Sequence, residues 1–319
     1  MQLSLRTTLV AAVLIALAAC NTAELTPAGG GSSGTPYVPP PEETDASVGE
    51  DAAPAGDGGG TNLRIMSANI SSGASLSYGP EEGVRIFKGL APDVVLIQEF
   101  KTGPTSATEV DTFVTRTFGA PFTYYREPAV EIPNGIISRY PITQSGRWAD
   151  PQVANRGFAY AKIAVPGAHP LWAVSVHLLT TNGNARAAEA TALVAQVRAL
   201  VPASDYVVVG GDLNTNARTE ACITTLSEIV FTNGPFPADR SGNESTNAPR
   251  NAAYDWVIPN KDLALLQIPT VLGKTSFAAG VVFDSRVYAP LTDVAPVEST
   301  DSAAPNMQHM PVVRDFRLP

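Results

Sequence analysis

Short β-branched apolar runs alternate along this chain with longer segments whose apolar residues recur at helical spacing. Tyr206, Val207, Val208 and Val209 form one such run and read as a buried strand. It leads into Gly210 and Gly211, where the backbone can turn tightly, and then into the polar residues Asp212 and Asn214. The same pattern predicts strands over residues 63–70, 93–98, 135–138, 158–165, 171–178, 255–258, 281–283 and 312–316. Helices are predicted over residues 81–90, 105–118 and 184–201, the last from Leu193, Val194, Val197, Leu200 and Val201. Alternating elements with several consecutive strands point to sheets covered by helices.

Before residue 61 the pattern changes. Arg6 precedes an apolar run from Thr7 to Ala19, which predicts a targeting segment over residues 1–19. The run falls short of the roughly 20 apolar residues that a membrane span needs. Leu17, Ala18, Ala19 and Cys20 resemble the lipobox of bacterial lipoproteins. That resemblance implies removal of the segment, lipidation of Cys20 and anchoring of the chain to a lipid bilayer outside the cytoplasm. Asn21 after Cys20, rather than an acidic residue, favours the outer membrane. The rest of residues 20–60 is rich in Gly, Pro, Ser and Thr, cannot bury enough apolar surface to offset its chain entropy, and reads as a tether.

Charge sharpens this division. The tether holds seven of the chain's 30 acidic residues and no Lys or Arg, so most of the net charge of −9 belongs to it. With Arg6 also set aside, residues 61–319 carry 23 acidic residues against 20 basic ones. A near-neutral domain does not exclude a polyanionic substrate. It is long enough for one large core and shows no internal repeat or second linker. Cys222 has no partner once Cys20 is lipidated, so stability must come from packing, and Cys222 is expected in a core or helix position.

Polar residues then mark the ends of the strands. Asn69 closes the first, Glu99 follows Ile97 and Gln98, and His177 sits in Val174 Ser175 Val176 His177 Leu178. Asp212 and Asn214 follow the glycine pair, Asp255 opens a strand before Trp256, and His309 precedes the last strand. A Glu at the mouth of an apolar strand needs a partner, which a cation or a salt bridge to Lys101 or Arg139 would supply. A single His is more often structural than catalytic, and His169, in Pro166 Gly167 Ala168 His169 Pro170, reads as a turn residue.

In order and surroundings these blocks resemble the endonuclease/exonuclease/phosphatase superfamily, which includes deoxyribonuclease I. Supporting matches are Pro92 to Glu99, Ile136 Ile137 Ser138 Arg139 Tyr140 Pro141, and Arg156 before Phe158. The resemblance implies a four-layer α/β sandwich, two mixed β-sheets packed face to face with helices outside. It implies a phosphodiester hydrolase in which Glu99 binds Mg²⁺ or Mn²⁺ with support from Asn69. His309 would be the base, oriented by Asp255; His177 would donate to a phosphate oxygen. Asp212 and Asn214 would position the nucleophile or leaving group, and Arg139 and Arg156 would bind substrate.

One position departs from the family pattern, which usually has Ser, Asp and His where this chain has Met307, Gln308 and His309. Gln308 offers an oxygen but no charge, so weaker metal affinity or a greater need for Mn²⁺ is expected. A relative that only binds its ligand is the alternative. The expected substrate is nucleic acid, handled by a monomer. A lipid phosphodiesterase would need an exposed apolar hairpin, for which residues 231–236 are the candidate, and a small-molecule phosphatase would need Lys/Arg clusters that are absent.

Overall fold

The computed structural model describes residues 59–103 and 106–319. The expected targeting segment, lipidated Cys20 and nearly all of the tether lie outside the described residues. In chain order, β1 (Thr61–Ala68), α1 (Glu81–Leu90), β2 (Val94–Ile97), α2 (Ala107–Phe118), β3 (Thr123–Arg126) and β4 (Gly135–Ser138) come first. They are followed by β5 (Ile142–Ala149), β6 (Gly157–Ile163), β7 (Leu171–His177), α3 (Gly183–Leu200), β8 (Tyr206–Asp212) and α4 (Ala221–Leu226). The remainder is β9 (Asp255–Pro259), α5 (Lys261–Ala264), β10 (Gln267–Ile268), β11 (Thr270–Leu272), β12 (Thr275–Phe277), β13 (Val281–Val282) and β14 (Val312–Leu318).

Two mixed sheets result. One has seven strands in the order β10-β14-β1-β2-β4-β3, with β13 also paired to β14; the other has five in the order β5-β6-β7-β8-β9. Residues from both inner faces form one core, including Ile65, Val94 and Ile136 of the first sheet and Ala161, Ala173 and Val208 of the second. A second core lies between the first sheet and the helices α1 and α2, where Phe87 and Phe113 pack with Val95 and Ile137. A third joins the second sheet to α3 and α4 through Val174, Val209, Leu193 and Cys222. The layers are therefore helices, sheet, sheet, helices, the expected sandwich.

Local chemistry accounts for the helix ends. Glu81 and Glu82 in the first turn of α1 and Lys88 in its last complement the helix dipole. Ser106 and Glu109 form a capping box at the start of α2. Burial, reinforced by Glu220, pushes the Cys222 thiol up to about 11, as befits a packed side chain rather than a nucleophile.

Parallel pairing decides where the site lies. β1 with β2 and β7 with β8 are parallel pairs, so the strands of each pair end together, and the hydrogen bond from Asn69 after β1 to Asp212 at the end of β8 brings both pairs to the same rim of the sandwich. Gly211 is essential to that rim. Its φ is +131°, and a Cβ there would collide with the Val176 carbonyl oxygen and crowd Gln98 Nε2 at 2.8 Å. Gly211→Ala should therefore lower stability by about 2–4 kcal/mol through overpacking and backbone strain. Urea denaturation checks this; a loss below about 0.5 kcal/mol would contradict the packing described.

Candidate active site

Strand register places three of the polar residues side by side. His177 pairs with Asp212 across β7 and β8, and Asp212 pairs with Asp255 across β8 and β9. From the other sheet, Asn69 follows the end of β1 and Glu99 follows β2. His309 sits in the loop before β14, tied to Asn247 by an isolated bridge. Six side chains from two sheets thus converge on one rim.

The Asp212 carboxylate is their meeting point. Its Oδ2 accepts from Asn69 Nδ2 at 3.0 Å and lies 3.3 Å from His177 Nε2 and 3.5 Å from His309 Nε2. Asn69 Nδ2 also donates to Glu99 Oε1 at 3.2 Å. On the far side of the His309 ring, Nδ1 meets Asp255 Oδ2 at 2.9 Å, the arrangement of a base oriented by a carboxylate. Asp212 Oδ1 is occupied by the backbone N–H of Asn214, whose own Nδ2 donates to the Leu178 carbonyl. Asn214 therefore braces the loop at the rim.

Electrostatics separate the two histidines. Burial, helped by Arg156 and His309 against the opposing pull of Asp212, lowers His177 to about 4, so its ring is neutral near pH 7. Burial also works to lower His309, but the carboxylates of Asp255, Asp212 and Glu99 outweigh it and raise this ring to about 9. Burial raises the Glu99 carboxyl, opposed by the Asn69 hydrogen bond. Glu99 makes no ion pair with Lys101 or Arg139, and its backbone adopts a left-handed φ of 49°, a strained conformation for Glu.

Several atoms are left with capacity. Asn69 Oδ1 and Asp255 Oδ1 are buried without a hydrogen-bond partner. Asp212, Asp255 and His309 also form a buried group whose ligand atoms lie within 4.8 Å of one another. Oxygen donors of this kind suit a hard divalent cation. Gln308 is exposed, and its backbone carbonyl accepts from the Ala248 N–H at 2.7 Å.

Two expectations need correction. Arg139 pairs with Asp93 at 3.1 Å, beside the start of β2, whereas Glu99 follows its end; the arginine therefore sits at the opposite rim and cannot touch a substrate held by the cluster. Arg156 is near the cluster but buried, and its Nε and Nη2 donate to the carbonyls of His177 and Leu178 at 2.5 and 3.2 Å. Its guanidinium is committed to holding the end of β7 rather than to a ligand.

Other residues with a part in the site carried no local signal. Thr246 accepts from Asp255 N through its hydroxyl and from Met310 N through its carbonyl, joining the strand of Asp255 to the loop of His309. Glu189 of α3 accepts from Leu179 N with both oxygens; burial, reinforced by Asp150, raises it to about 8. Gln98 donates to Ser175 Oγ, which donates to the Ile97 carbonyl, stitching the two sheets together beneath the cluster.

The family model described as Endonuclease/Exonuclease/phosphatase family matches residues 66–276. Among solved structures, the endonuclease/exonuclease/phosphatase from Bacteroides vulgatus superposes with a TM-score of 0.54 at 15% identity, covering 81% of this chain and 100% of that one. The protein of the same description from Beutenbergia cavernae gives 0.53 at 16%, covering 81% and 72%. Truncated TDP2 from Caenorhabditis elegans gives 0.50 at 15%, covering 80% and 97%. At these identities the likeness is one of fold. No curated protein sequence matches the chain. The family generally hydrolyses phosphoester bonds and its enzymes typically depend on a divalent metal. With two mixed sheets packed face to face, a polar cluster at one rim and this match over most of its length, the chain belongs to the endonuclease/exonuclease/phosphatase family.

Proposed function

We propose that this protein is a divalent-metal-dependent phosphodiester hydrolase acting on nucleic acid, exported and held to a bacterial membrane through Cys20. The observation that carries the catalytic reading is the convergence of Asn69, His177 and His309 on one carboxylate oxygen of Asp212, with Asp255 behind His309. Glu99 and the unpartnered Oδ1 of Asn69 would hold Mg²⁺ or Mn²⁺. His309 Nδ1 and Asp255 Oδ2 are already engaged with each other, which leaves them to proton chemistry. A bound cation supplies positive charge to phosphate oxygens where the reaction builds negative charge.

The protein's own groups would do the rest. In its neutral form, reached once a cation bound beside it draws off the negative field of the carboxylates that raise its pKa, His309 Nε2 takes a proton from the attacking water, while Asp255 fixes the ring and stabilises the charged form that results. His177, neutral at pH 7, donates a ring hydrogen to a non-bridging oxygen. Asp212 and Asn69 fix where the water and the phosphate sit. A lipid substrate is less well supported: Phe236 packs edge-on against Trp256 and lies under Arg218, leaving Phe231 as the exposed aromatic of residues 231–236. Such a segment offers little apolar surface to a bilayer.

Hydrolysis of plasmid DNA in Mg²⁺ and Mn²⁺, beside sphingomyelin and phosphomonoesters, tests this reading. His309→Ala should slow cleavage at least about 100-fold, the scale for losing a general base. Cleavage near the wild-type rate by that variant would remove His309 from the mechanism. EDTA should abolish turnover and Mn²⁺ restore it, and Gln308→Asp should lower the metal concentration giving half-maximal rate.

A pH dependence follows for the metal-free protein. Because folding raises His309 from 6.5 to about 9, its contribution to stability is fully present below about pH 6.5 and is lost as pH rises through 9. Thermal unfolding in EDTA should therefore show Tm falling between those values, and His309→Gln should flatten the fall. An identical slope in both proteins would show that His309 is not charged in the folded state.

A further inference from the structure

Beside the cluster, at the β5 edge of the five-stranded sheet, lies a groove of about 490 Å³ formed by Arg147, Arg156 and the segment from Ala149 to Ala154. Its size is that of a small-molecule site. Arg147 is exposed, and its side chain forms no ion pair or hydrogen bond among the described residues. The acidic groups around it are withdrawn from solvent: Glu127 and Glu189 are fully buried and Asp150 nearly so. Asp150 turns one oxygen inward to the Gln152 N–H. Arg147 is thus the charge this groove presents to a ligand.

Its side chain is also held in place. Arg147 neighbours Trp148, whose ring stacks on Tyr160 at 4.4 Å, and its aliphatic stem lies over Gly157. A Cβ at Gly157 would come within 2.8 and 2.9 Å of Arg147 Cγ and Cδ, so the absence of a side chain there makes the bed for the stem. The groove joins the catalytic cluster through Arg156, which lines the groove and donates to the His177 carbonyl. Arg147 aligns with Ala159, and Ala159 with Ser175, two residues before His177. At about 4.8 Å between strands, the distance from β5 to β7 is roughly 10 Å. A single nucleic-acid strand, with one charge per about 3.4 Å of rise, spans that in a few nucleotides.

We propose that this groove is a flanking subsite in which Arg147 holds a phosphate a few nucleotides from the scissile bond, so that the enzyme's substrates are polynucleotides rather than small phosphate esters. The proposal deepens the hydrolase reading and rests on it for its effect on turnover. Its binding component stands apart from that reading. A small diester would leave the groove empty; a strand would fill it and gain affinity there.

The test compares wild type, Arg147→Glu and Arg147→Lys on a 12-nucleotide DNA or RNA strand and on bis(p-nitrophenyl) phosphate. Binding of the labelled strand is measured in parallel by fluorescence anisotropy in EDTA. Arg147→Glu should cut kcat/KM on the strand about tenfold, mainly through KM, leave the small diester within twofold, and weaken binding of the strand about tenfold. Arg147→Lys should restore most of the loss, and the salt dependence of binding should fall by about one charge in the Glu variant. Equal changes on both substrates, unchanged binding in Arg147→Glu, or no binding of either strand by the wild type would overturn the subsite. Binding that depends on Arg147 without hydrolysis of any diester would keep the subsite and remove the hydrolase reading.

Discussion

Burial of the Asp212 carboxylate between the two sheets is the constraint on which this site depends. A buried charge without partners is costly, and the first sheet answers with the Asn69 amide while the second answers with His177 and the loop with His309. The groups that satisfy Asp212 are the same groups that a phosphate and its attacking water would meet. Stability and chemistry are therefore hard to separate here. Removal of Asp212 would leave a buried amide and two rings without their common acceptor, as well as an altered reaction site.

A second layer of contacts keeps that geometry narrow. Arg156 and Glu189 grip successive backbone groups just after β7, the arginine taking carbonyls and the carboxyl taking an N–H. Thr246 does the same for Asp255 and the His309 loop, and Tyr78 binds the Ala68 and Gln98 carbonyls where β1 and β2 end. The strained φ of Glu99 fits this setting, because surrounding contacts over-determine a backbone that would otherwise relax. The opposite rim has ordinary ion pairs instead, such as Arg139 with Asp93, and no comparable gathering of the six residues.

Much of the scaffold could be read from local pattern because its strands are buried on both faces. Continuous runs such as Val94 to Ile97 and Tyr206 to Val209 exist for that reason, and the helix at Glu81–Leu90 follows from its apolar face and charged ends. β5 carries no local signature because it is an edge strand: Thr143, Gln144 and Ser145 are exposed, so its residues do not alternate as a half-buried strand would. The short elements α4, α5 and β10 to β12 were likewise invisible, since two to six residues carry too little periodicity to distinguish them from loop.

The polar residues of the cluster were legible for a related reason. Asn69, Glu99, His177, Asp212 and Asp255 each interrupt an apolar run at a strand end, and family resemblance put them in order. What the sequence could not decide was which strand ends share a rim. Arg139 and Arg156 looked alike as basic residues beside strands, yet antiparallel pairing of β2 with β4 sends the first to the far rim, and a pair of carbonyls claims the second. Side-chain type is written in the chain; strand direction, register and competition for hydrogen bonds arise only when the sheets assemble, because they depend on partners distant in sequence.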